Sequence, residues 1–472
     1  MTLDPFVSAR DLAAMIKRRE VSPVEATEFY LSRIDEHDRR LNTYVTIADD
    51  QALETARSCE KALKDRDPDS LPPFHGVPIP IKDLTEVVGI RSTHGTKSFA
   101  DHIPEVEGST VRRIREAGFV ILGKTNASEF GTMPTTESEL LGPCHNPWDH
   151  SRTTGGSSGG AAAAVAAGLA PVAHGSDGAG SVRIPASCCG VFGIKPTRGR
   201  ISHSPFVGEA WAGFSTEGPI ARTVADAAAL LDVMSGYEVG DPYWAPEPER
   251  PFAEEVDEDP GKLRVGLLTD APTGVPVDDA CVAAARDAAE LLESLGHVVT
   301  PVGLDWLDPD LTSHFIKIVQ TSTAYYRGFV DIATVEPVNR ALAEAGEQTS
   351  SMAYIHARLA LQDVAREAVR QFEEIDVLLT PTLALPPVPL GWMSEDPDPW
   401  AQLIRAGMFI PFTPMANITG QPAVSLPLYW SEDGLPIGVQ LVGPPAGEAL
   451  LIRVSSQLEQ IRPWKDKTPS GF

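Results

Sequence analysis

Gly175-Ser176-Asp177-Gly178-Ala179-Gly180-Ser181-Val182-Arg183-Ile184-Pro185 is the stretch from which the rest of the chain can be read, together with Gly155-Gly156-Ser157-Ser158-Gly159-Gly160 and the earlier apolar run Val77-Pro78-Ile79-Pro80-Ile81-Lys82. Glycine, alanine and serine leave backbone N–H groups bare, and the glycines are free to adopt positive φ around a developing negative charge. Ser181 closes that run beside the donors, and Val182 to Ala186 resumes ordinary apolar structure that can hold the loop still. A serine hydroxyl needs a base within hydrogen-bond reach to act as a nucleophile, and Lys82 is the candidate. A free lysine titrates near about 10.4, so keeping it neutral at pH 7 takes a depression of roughly three pH units, about 4 kcal/mol. Burial within the run Pro78 to Leu84 can supply that. Asp83 opposes it only if it faces the same way, and on an extended strand adjacent side chains point to opposite faces. Ser157, whose hydroxyl both donates and accepts, can bridge Lys82 and Ser181.

Other readings of the same letters stay open at this level. Gly155 to Gly160 also spells G-x-S-x-G, the nucleophile elbow, with His297, His314 and His356 available downstream. An elbow should follow a buried strand, whereas Asn146 to Thr154 is polar and turn-rich. No Gly-Lys-Ser/Thr follows the glycines, so a phosphate-binding loop is excluded. Lys82 taken alone also reads as an ordinary salt-bridged lysine.

The order of Lys82, the Gly155 to Gly160 segment and the Asp177 to Pro185 segment resembles the amidase signature family. So do Val21-Ser22-Pro23-Val24-Glu25, Gly123-Lys124-Thr125-Asn126 with Glu129-Phe130-Gly131, Gly193 to Gly199, Gly218 to Val224 and Asn417 to Ala423, so the resemblance spans nearly the whole chain. It implies an α/β fold: a single large domain over residues 1–472, with a mixed central β-sheet covered by helices on both faces. It implies Ser181 as the acylated nucleophile, Lys82 as the general base and Ser157, following a cis peptide bond, as the middle serine. The backbone N–H groups of Gly178, Ala179, Gly180 and Ser181 match the family's oxyanion hole. The family usually has Thr-Gly-Gly-Ser where this chain has Gly178-Ala179-Gly180-Ser181, and the methyl of Ala179 makes its N–H the doubtful donor of the four. The resemblance around Pro171 to Ser202 is strongest to oligoamide hydrolases of the 6-aminohexanoate type. The implied reaction is amide hydrolysis through an acyl-enzyme, with esters and carbamates passing through the same geometry, and it calls for no metal or cofactor.

Phe130, Met133, Trp148, Phe206, Trp211 and Phe214 flank these motifs and are candidates for an apolar pocket, with core packing the alternative for each. Two other functions stay open. One is the glutaminase subunit of a tRNA-dependent amidotransferase, whose Gly-Thr-Tyr segment is replaced here by Ser350-Ser351-Met352-Ala353-Tyr354-Ile355; the other is a non-catalytic scaffold.

Composition narrows the partners. A net charge of -26 repels nucleic acid and anionic membranes, leaving a small-molecule amide as the expected partner and a homodimer open. Met1 to Arg10 lacks the apolar core of a signal peptide, and Ala161 to Ala173, the longest apolar stretch, is too short to span a bilayer and is expected as a helix against the sheet. Five cysteines without a C-x-x-C pair argue against zinc and a full disulfide framework, so a cytoplasmic setting is expected, with Cys188 and Cys189 as core packing. Ser22 with Glu25 signals a helix from Pro23 to about His37, and Asp278 another ending near Gly296, between strands at Leu263 to Leu268 and Val298 to Val302. Ile375 to Thr380, Val424 to Leu428 and Ile437 to Leu441 read as further strands, and the acidic, proline-bearing Glu247 to Asp259 as a solvated crossing loop.

Overall fold

In the computed structural model, which describes residues 3–303 and 310–472, the capping box forms. The Ser22 hydroxyl accepts from the Glu25 N–H and the Glu25 carboxylate accepts from the Ser22 N–H, at 3.1 and 2.8 Å. The helix runs over Pro23–Leu41 rather than stopping near His37, because its apolar face continues to the buried Leu41 before Asn42 turns into left-handed backbone. Met1 and Thr2 of the N-terminal stretch lie outside the described residues.

Asp278 caps the helix Asp279–Ser294 by accepting from the Ala280 N–H at 2.9 Å. The flanking strands Arg264–Leu267 and Val298–Pro301 pair in parallel, completing the expected strand, helix, strand unit. That unit is one end of an eight-stranded sheet. From this end the order is Val298–Pro301, Arg264–Leu267, Val377–Pro381, Pro436–Val442, Ala423–Trp430, Phe192–Lys195, Thr216–Ala221 and Val172–Asp177. The first three strands are parallel and the rest antiparallel, so the sheet is mixed.

Strand alternation sorts its two faces. Val377, Leu379, Val424, Leu426, Ile437, Val439 and Leu441 join a core that includes Ala284 and Ala288 of one helix and Leu451, Ile452 and Leu458 of the C-terminal helix Glu448–Ile461. The intervening Gly438 and Gln440 meet the helix Arg183–Cys189 instead, through Ser187 and Arg183. The sheet is thus greasy on one face and polar where it carries the helix that follows Ser181.

The eight-stranded sheet is the expected mixed central sheet, and a second sheet of three strands, Tyr44–Ile47, Val120–Thr125 and Pro78–Lys82, stands beside it. Chemistry accounts for the break between the two. Val77 C=O and Asp83 N–H serve the ladder to Val120–Thr125, leaving the alternate positions 78, 80 and 82 to face Val172–Asp177. Pro78 and Pro80 have no N–H to offer, and the Lys82 N–H goes to the His174 ring.

The apolar run Ala161 to Ala173 is not one helix. Its helical part ends within Gly159–Ala166, Gly168 takes a φ of 64°, and a strand begins at Val172. Nor is Glu247 to Asp259 merely solvated: Phe252 is buried in the core, and the Glu255 carboxylate accepts from Arg453 and Arg250 at 2.6 and 2.9 Å. Among the described residues no helix is long and apolar enough to cross a membrane. All five cysteines are free thiols, and Cys188 and Cys189 are buried.

Candidate active site

Lys82 ends its strand fully buried. Its Nζ donates to the Ser157 hydroxyl at 2.7 Å, to the Ser176 hydroxyl at 3.0 Å and to the Ser176 carbonyl at 3.3 Å. Burial disfavours the charged ammonium and pulls its pKa down to about 7, against the opposing pull of Asp177 and Glu217. Asp83 faces the other way, as alternation requires: it accepts from the Thr93 N–H and lies 3.6 Å from Lys124 Nζ.

Ser157 follows a cis peptide bond at Gly156-Ser157, as the resemblance implied. The Ser158 N–H donates to the Ser181 carbonyl at 3.3 Å, which fastens the two serine loops together. Among the described residues the Ser181 hydroxyl makes no hydrogen bond, so the last link of the series from Lys82 through Ser157 is unmade in the resting form. Such links commonly tighten only when substrate is bound. None of the histidines that an elbow would need bonds to Ser157: His297 is held by the Leu263 N–H and Gln457, and His314 and His356 face each other at 6.2 Å.

The loop after Asp177 is organised by that residue's carboxylate. It accepts from the N–H groups of Gly180 and Val182 at 2.7 and 3.2 Å, from Arg183 at 2.9 and 3.0 Å, and from the Asn417 amide at 2.9 Å. Burial alone would raise the Asp177 pKa, but Arg183, Lys195 and Asn417 outweigh it and hold the carboxyl well below its usual range. Arg183 in turn donates to Gln440 and to the Thr413 carbonyl at 2.6 and 2.8 Å, tying the loop to the polar face of the sheet.

The four N–H groups of the expected oxyanion set differ in what they bond. The Gly180 N–H is already spent on Asp177, while those of Gly178, Ala179 and Ser181 make no hydrogen bond among the described residues. Ala179 is not in left-handed backbone, so its methyl restricts nothing there; the position that needs glycine is Gly180, with φ 124° and Thr413 where a Cβ would lie.

The candidate pocket residues separate. Trp211 lies against the loop, its ring 3.1 Å from where a Cβ on Gly178 would sit. Phe130 stacks on Tyr326 at 4.2 Å and precedes Gly131, whose Cβ would lie 3.1 Å from Ser157 Oγ. Both Phe130 and Trp211 adopt left-handed backbone, φ 53° and 52°. Met133 belongs to the neighbouring core cluster, and Phe214 is buried against Phe315. The Trp148 indole donates to the Cys189 carbonyl at 2.7 Å, at the far end of the helix that begins at Arg183, and its ring leans on Trp430. Phe206 is 49% exposed in a loop after the cis Ser204-Pro205 bond.

Sequence reasoning missed the roles of Asp177, Asn417, Thr413 and Ser176, and of the pair His174 and Glu217. The one available signal was polar residues placed inside otherwise apolar strands, as at His174 and Asp177 in Val172–Asp177.

Residues 25–452 match the amidase family. The chain is 38% identical to the 6-aminohexanoate-cyclic-dimer hydrolase of Paenarthrobacter ureafaciens, covering 99% of this chain and 97% of that protein. It is 35% identical to an acylamidase of Rhodococcus erythropolis, over 98% and 97% of the two chains. The solved structure of a 6-aminohexanoate cyclic dimer hydrolase superposes with a TM-score of 0.93 at 36% identity, covering 99% of both chains. By fold, by motif order and by full-length identity, the chain belongs to the amidase signature family of hydrolases.

Proposed function

We propose that this protein is a free-standing serine amidohydrolase that cleaves C–N bonds of small apolar amides through an acyl-enzyme on Ser181. The observation that carries the reading is the 2.7 Å contact from a wholly buried Lys82 Nζ to the Ser157 hydroxyl. In the neutral state that lysine takes the Ser157 proton as Ser157 takes that of Ser181, and the freed Ser181 oxygen attacks the carbonyl carbon. The carbonyl π electrons move onto oxygen, where the N–H groups of Gly178, Ala179 and Ser181 receive the negative charge. When the tetrahedral intermediate collapses, the C–N bond breaks and the departing nitrogen takes the proton that Lys82 had stored, returned through Ser157. Water then repeats the series on the ester to release the acid and restore Ser181. Because the relay can protonate a poor leaving group, amides are the natural substrates, and esters and carbamates fit the same steps. The aromatic Trp211 and Phe130 beside the loop, and the amide substrates in the names of the two relatives, support an apolar acyl or amine portion.

Hydrolysis of aryl amides, linear and cyclic oligoamides, carbamates and glutamine by the purified chain, beside Ser181→Ala, tests this. Turnover of apolar amides that disappears in the variant is the expected result. Turnover that persists in Ser181→Ala overturns the reading, and activity on glutamine alone moves it to the amidotransferase subunit.

A further inference from the structure

Behind Lys82 lies a buried pair that the reaction scheme does not use. His174 is wholly buried in Val172–Asp177, and its Nδ1 accepts the Lys82 backbone N–H at 3.4 Å. A ring nitrogen that accepts carries no proton, so the imidazole proton belongs on Nε2. That nitrogen faces Glu217 Oε2 at 3.4 Å, and neither atom has a hydrogen-bond partner among the described residues. Glu217, on the neighbouring strand and opposite Ser176 in the register, accepts from the Thr85 hydroxyl at 3.1 Å through its other oxygen. Thr85, three positions along from Lys82, and His174 on the adjacent strand therefore converge on one carboxylate.

We propose that His174 and Glu217 are positioning residues for the base: His174 fastens the end of the Lys82 strand to the large sheet, and Glu217 supplies a fixed negative charge that helps set the pH at which the lysine works. This rests on Lys82 being the base. The charged groups that face the lysine are few. Asp177 stands on the edge strand but is already paired with Arg183, and Asp83 is turned toward Lys124. Among the described residues Glu217 has no Lys or Arg partner; His174, His203, Thr85 and Thr110 face it. Its charge therefore acts on Lys82 beside that of Asp177, and both pull the lysine upward against burial.

The two residues are expected to act in opposite directions. Removing the carboxylate lets Lys82 lose its proton more readily. Removing the imidazole leaves the carboxylate anionic without the ring N–H that faces it, so more of its field reaches the lysine.

The acid limb of kcat/KM against pH reads this out. Glu217→Gln is expected to move the limb to lower pH by about half a unit or more, and His174→Asn to move it higher; the double variant should follow Glu217→Gln, because the imidazole then has no charge to hold. A purely structural pair would lower stability and leave the limb in place, so limbs in both single variants within about 0.2 units of the parent, with the fold intact by circular dichroism, overturn the proposal. Should Glu217→Gln fail to fold, His174→Asn decides alone, and an unmoved or downward limb is the refuting result. Lys82→Ala and Ser181→Ala run alongside: activity in either refutes the base and nucleophile assignments, whereas two dead controls with unmoved limbs refute only the role of the pair.

Discussion

Replacing Lys82 by methionine should make the protein more stable while abolishing its activity. The folded lysine releases its proton near pH 7, and the unfolded one near 10.5. Between those values the unfolded chain binds more protons, so the wild-type fold gains stability as pH rises, and the penalty is complete below about pH 7 and gone above about 10.5. At about 1.36 kcal/mol per pH unit the penalty comes to about 4 to 5 kcal/mol at neutral pH. Methionine keeps the length and apolar stem but carries no charge. It forfeits the bonds to Ser157 and Ser176, a loss of about 1 to 2 kcal/mol because both hydroxyls can reorient. The net gain is therefore about 2 to 4 kcal/mol at pH 6.5, shrinking toward zero and then reversing as pH approaches 10. Urea unfolding of both proteins at pH 6.5, 8 and 9.5 measures it, with turnover lowered by about a thousandfold or more in the variant. A variant less stable than the parent at pH 6.5, or a difference that does not narrow with pH, would refute the burial argument for the neutral lysine.

Gly180→Ala should lower turnover by at least about tenfold and stability by about 2 to 4 kcal/mol, since its φ of 124° and the nearby Thr413 leave no room for a methyl; full activity with an unchanged urea midpoint would count against it. Asp177→Asn leaves Arg183 buried and half-paired, a loss of about 3 to 5 kcal/mol. Because folding lowers the Asp177 pKa, its contribution is present above the unfolded value near 3.8 and is lost as pH falls below it, so parent and variant should converge in acid unfolding experiments. Trp211→Ala should raise KM for apolar amides by about tenfold through lost contact beside Gly178, whereas Trp148→Ala should cost about 3 kcal/mol of stability and leave KM alone; equal effects on KM would remove Trp211 from the pocket.

Much of the frame was legible because its signals are local. A capping box needs only Ser22 and Glu25, and a cap with a periodic helix only Asp278 to Gly296. The break between the two sheets was also latent in the letters, in the two prolines at alternate positions of Pro78–Lys82, but it becomes readable only once the strand's outward side is known. The run Ala161 to Ala173 misled because alanine and valine are buried equally well in a helix or a strand, and only Gly168 marks the change. Nearness in sequence to a catalytic motif does not say which end of a helix an aromatic reaches: the Trp148 indole bonds at the far end of the helix that begins at Arg183.

The sequence by itself determined the family, the identity of Lys82, Ser157 and Ser181 as the residues of interest, and the α/β class. Those depend on residue type and order, which a short Gly- and Ser-rich segment carries without outside help. What the tertiary structure decided is which groups are free and which are spent: that Lys82 reaches Ser157 across 75 positions, that Asp177 claims the Gly180 N–H and draws Asn417 from 240 positions away, and that His174 and Glu217 stand behind the lysine. A hydrogen bond and a desolvated charge are properties of distances between strands, and those distances exist only after the sheets have come together.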